Sequence, residues 1–194
     1  PAELRQFLRE QTVIAGRMEA FNAKCMTDSN WVLTFLDFCL KDKDYNDFRN
    51  VPLALMSDGT LRMFGNDSSR IFIGTPMEKF LLSAIPGLFL DDQICEREGF
   101  ECLPSVVSMS LAYLIELLPR CFQTIENGTS VQVEATNHAL PTYEWLTEFY
   151  KYCSYAFEHQ RVTQIPNSEV HLRLPLVPDS KGRLWAMGWE TTPV

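Results

Sequence analysis

Two stretches of the chain repeat one pattern of residues, and this duplication limits the folds open to it. In each stretch a tryptophan is followed by aromatic residues or cysteine four, seven and eight positions later. Further on, a proline precedes a glycine by seven positions, with a leucine two and a second glycine six positions beyond. The matched positions are Trp31, Phe35, Phe38, Cys39, Pro52, Leu53, Gly59, Leu61 and Gly65 in one copy, and Trp145, Phe149, Tyr152, Cys153, Pro175, Leu176, Gly182, Leu184 and Gly188 in the other.

The spacing has a direct physical interpretation. Positions zero, four, seven and eight lie on one face of a helix, and an aromatic face needs a surface to bury against. A glycine between two apolar runs predicts a β-hairpin, which supplies that surface. We therefore predict an α+β fold in which two helix–β-hairpin pseudo-repeats, residues 31–65 and 145–188, pack with additional helices. Chance similarity between aromatic helices and glycine turns is the alternative.

Other elements follow from periodicity and capping. Apolar residues at three- and four-residue steps predict one amphipathic helix over residues 2–26. Thr75, Pro76 and Glu78 form a capping-box pattern for a helix that extends to about residue 85. The remaining predictions are a third strand at residues 70–74, a short helix near 91–97, a buried helix at 105–118, a strand near 130 and a helix at 142–159.

Charge and hydropathy exclude some classes of partner. The 194 residues carry a net charge of −8 with no basic cluster, which argues against nucleic acid, since phosphate binding depends on clustered Lys and Arg. No apolar stretch is long enough to predict a membrane span, so we expect no membrane partner. The first residues, from Pro1, show no signal-peptide pattern. We expect residues 1–194 to be a single domain or a segment of a larger multidomain protein.

The six cysteines bear on the compartment. Cys25, Cys39 and Cys153 lie on predicted apolar helix faces, where a free thiol behaves as a small hydrophobe. This favours reduced thiols in a cytoplasmic protein over disulfides. The alternative is an extracellular binding domain glycosylated at the sequons of Asn66 and Asn127.

A search for catalytic chemistry leads to no committed site. Neither a phosphate-binding glycine loop nor a Cys-x-x-Cys zinc pattern occurs. Cys153 and His159 are six residues apart on one predicted helix and would face different directions, which disfavours a nucleophile–base pair. We predict no catalytic, cofactor-binding or metal-binding residue and no cofactor. Ordinary solvated or edge positions account for His138, His159, His171, Asp91, Asp92, Glu96 and Glu98.

The repeated segments resemble those of sacsin, a family of very large cytosolic multidomain proteins. The resemblance rests on a helix beginning with Trp, a polar connection and the pattern Pro-Leu followed by Asp-Gly-x-Leu, and it covers less than half of the chain. The second copy departs from it, because Lys181 precedes Gly182 where Asp58 precedes Gly59. The resemblance implies a co-chaperone or scaffold linked to regulation of the seventy-kilodalton heat-shock chaperones.

The sacsin repeats are partly related to GHKL-type heat-shock ATPases, whose nucleotide site contains Asp-x-Gly-x-Gly. Here Asp58 and Gly59 are followed by Thr60 and Leu61, so the second glycine is missing. We therefore expect a structural or interaction module that is not an enzyme. Its partners would be chaperone machinery, client proteins and neighbouring domains of the parent chain. We expect Trp185 and Trp189 to contact the downstream chain; the alternative is that they pack on the preceding helix. The rival hypothesis is a degenerate GHKL-type nucleotide-binding regulator in which Asp58 holds Mg²⁺.

Overall fold

The computed structural model describes residues 1–65, 70–122, 130–132, 141–159, 174–181 and 183–186. It confirms an α+β fold. The helices are α1 (Ala2–Thr12), α2 (Arg17–Thr27), α3 (Asn30–Cys39), α4 (Pro76–Leu81), α5 (Asp92–Cys95), α6 (Leu111–Leu117) and α7 (Tyr143–His159). The strands are β1 (Ala54–Leu55), β2 (Leu61–Arg62), β3 (Ile71–Ile73), β4 (Val106–Ser108), β5 (Ser130–Gln132), β6 (Pro175–Pro178) and β7 (Arg183–Ala186).

The chain divides into two compact units. The first unit comprises Pro1–Gly74 and Pro86–Ser108, and the second comprises Thr75–Ile85 and Met109–Val194. Each unit therefore contains one of the two helix–hairpin segments found in the sequence.

The first unit begins with two helices where one was predicted over residues 2–26. The chain leaves α1 after Thr12 and enters α2 through Gly16, whose φ of 77° is left-handed. The β-branched residues Thr12, Val13 and Ile14 lose rotamer freedom in a helix, and Gly16 takes the reversed conformation without steric cost. The prediction of a single helix was wrong because the apolar periodicity continues across this break.

The hairpin predicted in the first unit is confirmed and belongs to a wider sheet. β1 and β2 pair antiparallel, with Gly59 at φ 80° in the turn. Segment 88–91 lies beside β1 through the antiparallel bridge of Met56 with Leu90, and beside β3 through the parallel bridge of Phe72 with Phe89. β3 confirms the predicted third strand and pairs parallel with β4. The strand order is β2, β1, segment 88–91, β3 and β4.

Residues 105–118 are not one helix, contrary to the prediction. Val106 and Val107 belong to β4, and α6 starts only after Ser110, whose hydroxyl accepts a hydrogen bond from the Tyr113 amide at 3.4 Å. The valines favour a strand and the serine favours a helix N-cap, so the local chemistry divides a run that apolar periodicity had joined.

In the second unit, the capping box is confirmed: Thr75 accepts from the Glu78 amide, and Glu78 accepts from the Thr75 amide. α4 ends at Leu81, earlier than the predicted residue 85. α7 confirms the helix predicted at 142–159. The sheet has the order β5-β7-β6, and both of its neighbouring pairs are antiparallel.

The two hairpins have the same register. Ala54 pairs with Arg62 and Leu55 with Leu61, while Val177 pairs with Trp185 and Pro178 with Leu184. Each residue of the first hairpin thus has its counterpart 123 positions later. The correspondence extends to other backbone hydrogen bonds. Met56 N donates to Thr60 O, and its counterpart Asp179 N donates to Arg183 O, both at 2.8 Å. Leu53 N donates to Val51 O at 3.0 Å, and its counterpart Leu176 N donates to Leu174 O at 2.8 Å.

The two aromatic helices do not match in the way their tryptophans suggested. In α7, Trp145, Leu146, Phe149 and Tyr152 are buried, whereas in α3 the buried residues are Val32, Leu33, Leu36 and Cys39. These sets have the same spacing, but Val32 rather than Trp31 corresponds to Trp145. The aromatic face predicted for the first copy is therefore only partly buried: Trp31 and Phe35 are half-buried and pack against the core, whereas Phe38 is exposed.

Candidate functional sites at the hairpin turns

The turn between β1 and β2 is organised by Asp58, the residue proposed to hold Mg²⁺ in the nucleotide-binding hypothesis. Its Oδ1 accepts hydrogen bonds from the Thr60 amide at 3.0 Å and the Thr60 hydroxyl at 2.6 Å. Its Oδ2 accepts from the Gly87 amide at 2.6 Å. The carboxylate therefore closes its own turn and fixes the chain immediately before segment 88–91.

The electrostatics of Asp58 agree with this arrangement. Partial burial opposes ionisation, but the hydrogen bonds from the Thr60 hydroxyl and from the Thr60 and Gly87 amides outweigh it, so the pKa of Asp58 lies below its ordinary value. Both oxygens already have donors of the protein itself. A cation at this carboxylate would have to compete with those three hydrogen bonds.

The second hairpin has no aspartate at the matching position, yet a carboxylate organises its turn. Asp179 Oδ1 accepts from the amides of Lys181 and Arg183 at 2.8 and 2.9 Å. Asp179 Oδ2 accepts from Arg183 Nε at 2.8 Å and from Trp185 Nε1 at 3.1 Å. Hydrogen bonding, above all from the Arg183 amide, holds the pKa of Asp179 well below its usual range.

Asp179 was missed in the sequence because the motif was read as Asp-Gly. In both turns the aspartate Oδ1 accepts from the amide two residues later, Thr60 in one and Lys181 in the other. Aspartate makes this contact wherever a chain turns, so its position can shift within a loop. Asp179 also accounts for the position of Trp185, which is half-buried and donates its Nε1 hydrogen bond to this carboxylate.

The buried guanidinium of Arg5 joins α1 to the end of α3 and to the segment that follows it. Arg5, on α1, is 1% exposed and donates to the Asp42 carboxylate at 2.9 and 3.0 Å, to Asp47 at 2.8 Å and to the Cys39 carbonyl at 2.8 Å. Its guanidinium also lies 5.1 Å from the centre of the Phe48 ring. Burial works against the charge on Arg5, but the two aspartates outweigh it and raise its pKa.

A buried carboxyl group plays the corresponding part in the second unit. Glu78 is 5% exposed, and its Oε1 accepts from the Tyr152 hydroxyl of α7 at 2.7 Å. The neighbouring contact on α7 is Trp145 Nε1, which donates to the Leu81 carbonyl at 2.9 Å. Together these hydrogen bonds join α4 to α7.

No thiol forms a nucleophile–base pair with a histidine in the part of the chain that the structure describes. All six cysteines are free; Cys25 and Cys39 are buried, as predicted, while Cys153 is half-buried. Burial raises the pKa of Cys153 to about 11, which disfavours the thiolate that a nucleophile requires. His159 is exposed and stacks on Tyr155 at 4.3 Å.

Other candidates have structural roles or lie outside the described residues. Asp91 Oδ1 accepts from the Gln93 amide and caps α5, and Glu98 forms an exposed ion pair with Lys43 at 3.0 Å. Within the described ranges, no group of three or more His, Cys, Asp or Glu residues could hold a metal ion. Asn66, Asn127, His138, His171, Gly182, Gly188 and Trp189 lie outside the described residues.

Several large side chains of α7 are exposed. Tyr143, Tyr155 and Phe157 are exposed by 54, 54 and 40%, against a buried face formed by Trp145, Leu146, Phe149, Tyr152 and Ala156. Exposed aromatic residues are more frequent at protein interfaces than elsewhere on a surface.

No protein-family model, curated protein or solved structure matches this chain. No helix in the described part of the chain is long and apolar enough to cross a membrane.

Proposed function

We propose that this chain is a non-catalytic structural and interaction module of a large, sacsin-like co-chaperone or scaffold linked to heat-shock chaperone regulation. The supporting observation is the hairpin repeated in register, with Leu55 paired to Leu61 in one copy and Pro178 to Leu184 in the other. Repeated supersecondary units typically serve to build extended binding surfaces.

The turn carboxylates favour this role over nucleotide binding. In a nucleotide site that uses Mg²⁺, carboxylate oxygens must be available to the cation. The oxygens of Asp58 and Asp179 accept hydrogen bonds from their own turns instead.

The partners we propose are proteins: chaperone machinery, client proteins and neighbouring domains of the parent polypeptide. The exposed Tyr143, Tyr155 and Phe157 of α7 supply aromatic contact area for such partners. The net charge of −8 disfavours nucleic acid as the partner. Six free thiols support a reducing, cytoplasmic setting.

Two calorimetric titrations of the 194-residue chain test the proposal. In the first, a seventy-kilodalton heat-shock chaperone is added, and we expect saturable binding to the wild type. The double variant Tyr155→Ala and Phe157→Ala measures whether these exposed aromatic residues of α7 contribute to it. In the second, ATP with Mg²⁺ is added to the wild type and to Asp58→Ala, and we expect no binding heat in either.

The two titrations separate the functional classes. ATP binding that disappears in Asp58→Ala, or ATP turnover by the wild type, would overturn the proposal in favour of a nucleotide-dependent regulator. Absence of chaperone binding would contradict the proposed link to heat-shock chaperones.

A further inference from the structure

We infer that the outer edge of β6, the edge facing away from β7, binds one extended peptide strand supplied by a neighbouring domain of the parent polypeptide. The occupant has the character of segment 88–91, with the sequence Leu-Phe-Leu-Asp. This inference deepens the proposed interaction function and rests on it, because it names one partner and the surface that receives it.

The first unit shows how such an edge is filled. Ser57 N donates to Phe89 O at 2.8 Å, and Asp91 N donates to Leu55 O at 3.0 Å. These bonds place segment 88–91 antiparallel to β1, on the side opposite β2. Phe89 and Leu90 are buried there, at 4 and 0% exposure.

The second hairpin presents the same backbone groups. The counterparts of Leu55 O and Ser57 N, 123 positions later, are Pro178 O and Ser180 N. Asp179 N donates to Arg183 O on the β7 side. Because successive residues of a strand direct their backbone groups to opposite edges, Pro178 O and Ser180 N face outward. As far as the structure describes the chain, β6 ends the sheet β5-β7-β6.

The exposed fraction of the side chains differs between β1 and β6. Ala54 and Leu55 of β1 are 0 and 2% exposed, whereas their counterparts Val177 and Pro178 are both exposed, Val177 by 37%. The other matched positions agree: Leu53 and Leu176, like Leu61 and Leu184, are all buried. The hairpins therefore differ in burial along the strand that, in the first unit, adjoins segment 88–91.

Pro178 does not block strand addition of this kind. Proline protects many edge strands because it lacks an amide donor. Its counterpart Leu55, however, donates its amide to Leu53 O at 3.1 Å and not to segment 88–91. The incoming strand needs only the Pro178 carbonyl and the Ser180 amide, and both are present.

The residue that precedes the incoming strand makes binding selective for an acidic side chain. In the first unit this residue is Gly87, and a Cβ added to it would lie 3.9 Å from Asp58 Oδ2. The counterpart of Asp58 is the exposed Lys181. An acidic side chain at the Gly87 position of the occupant would therefore lie beside a cation. Aspartate suits this position because Gly87 has φ +61°, a region that aspartate tolerates better than most residues.

A peptide copying residues 86–92, with Gly87→Asp and a fluorescent label, tests the site on the whole 194-residue chain. Fluorescence anisotropy should show saturable binding. N-methylation of the Asp91 amide, which in the first unit donates to Leu55 O, should weaken binding by about three- to tenfold. N-methylation of the Leu90 amide is the matched control. In the first unit this amide donates to Phe72 O, on the edge of segment 88–91 that faces away from β1, so its methylation should leave binding to β6 unchanged.

Variants of the chain locate the peptide. Lys181→Glu should weaken binding of the Gly87→Asp peptide and strengthen binding of a Gly87→Lys peptide. Ser180→Pro removes the amide donor and should weaken both, whereas Ser180→Ala keeps the donor and should bind as the wild type does. Because these residues lie in the second hairpin, their effects distinguish the β6 edge from the edge already filled in the first unit.

Each contrary result is decisive. Absence of binding, or binding insensitive to Ser180→Pro and Lys181→Glu, overturns the inference. Self-association of the chain that Ser180→Pro abolishes, measured by sedimentation, would overturn it in favour of a second copy as occupant. Since the chaperone titration does not involve the peptide, chaperone binding without peptide binding would refute the strand site and leave the proposed function standing.

Discussion

The two units each bury one charged side chain among their described residues, and the charges are opposite. In the first unit, Arg5 joins α1 to the loop after α3 through Asp42 and Asp47. In the second, Glu78 joins α4 to α7 through the Tyr152 hydroxyl. The hairpins share a register, but the polar contacts around them differ in residue type and in the elements they connect. What repeats is thus the backbone pairing and the apolar pattern, while each unit has its own polar contacts.

The largest effect should come from the buried cation. Arg5→Met leaves Asp42 without its guanidinium, leaves Asp47 with Arg9 alone, and removes the donor from the Cys39 carbonyl. Loss of these charge-assisted hydrogen bonds, together with a buried carbonyl left without its donor, costs about 3 kcal/mol of unfolding free energy. Urea denaturation followed by circular dichroism measures this loss. If the cluster is electrostatic, adding Asp42→Asn to Arg5→Met should recover part of it, and an unchanged urea midpoint in Arg5→Met would show that the cluster adds nothing to stability.

The glycine turns test whether the repeat extends to backbone conformation. Gly59 has φ 80°, which a β-branched residue adopts only under strain. Gly59→Val should therefore cost about 2 kcal/mol. If the shared register extends to the turn, Gly182→Val should cost about the same in a thermal or urea unfolding experiment. If Gly182→Val leaves the free energy of unfolding unchanged, the two turns differ in backbone conformation.

The two tryptophans sharpen the comparison between the helices. Trp145 Nε1 donates to Leu81 O, so Trp145→Phe should cost about 1 kcal/mol beyond its change in packing. Trp31 Nε1 is buried without a hydrogen-bond partner, so Trp31→Phe removes an unsatisfied donor and should be nearly neutral or stabilising. Urea unfolding of both variants measures the contrast. Equal losses would mean that the tryptophans are equivalent after all.

The smallest effect concerns pH. The pKa of Asp58 is lower in the folded chain than its ordinary value, so this group contributes stability above about pH 4 and loses it as the pH falls through the folded pKa. Asp58→Asn should therefore reduce the difference in stability between pH 6 and pH 3. Urea midpoints at the two pH values measure it, with Asp44→Asn, at an exposed position of the loop after α3, as the control. A difference as large as that of the wild type would show that the turn is not closed by the charge.

Local chemistry predicted much of this fold. The capping box at Thr75 and the glycine turn at Gly59 are each specified by neighbours in sequence, and both are confirmed. Segment 88–91 was not recognised as a strand because its pairing with Met56 and Phe72 depends on residues far along the chain. The break at Gly16 was missed because the apolar period on its two sides happens to agree.

Of the two carboxylates that organise the hairpin turns, only one was predicted from the sequence. Asp58 stood out because Asp-Gly is a recognised turn dipeptide. Asp179 did not, since its role depends on which amides the loop brings to it, and a carboxylate can meet that need from more than one position. The sequence pattern aligned Trp31 with Trp145, whereas the buried faces of the two helices align Val32 with Trp145. Matching the tryptophans therefore placed the buried face of α3 one residue too early.

The positions of the cysteines allow thiol labelling to follow the unfolding of each unit. Cys25 and Cys39 lie in the first unit, and Cys121 and Cys153 in the second, and burial raises the pKa of all four. Cys102, by contrast, is exposed. A thiol reagent should therefore modify Cys102 before these four. Their labelling rates, assigned by mass spectrometry, would then reveal whether the two units open in one cooperative event or independently.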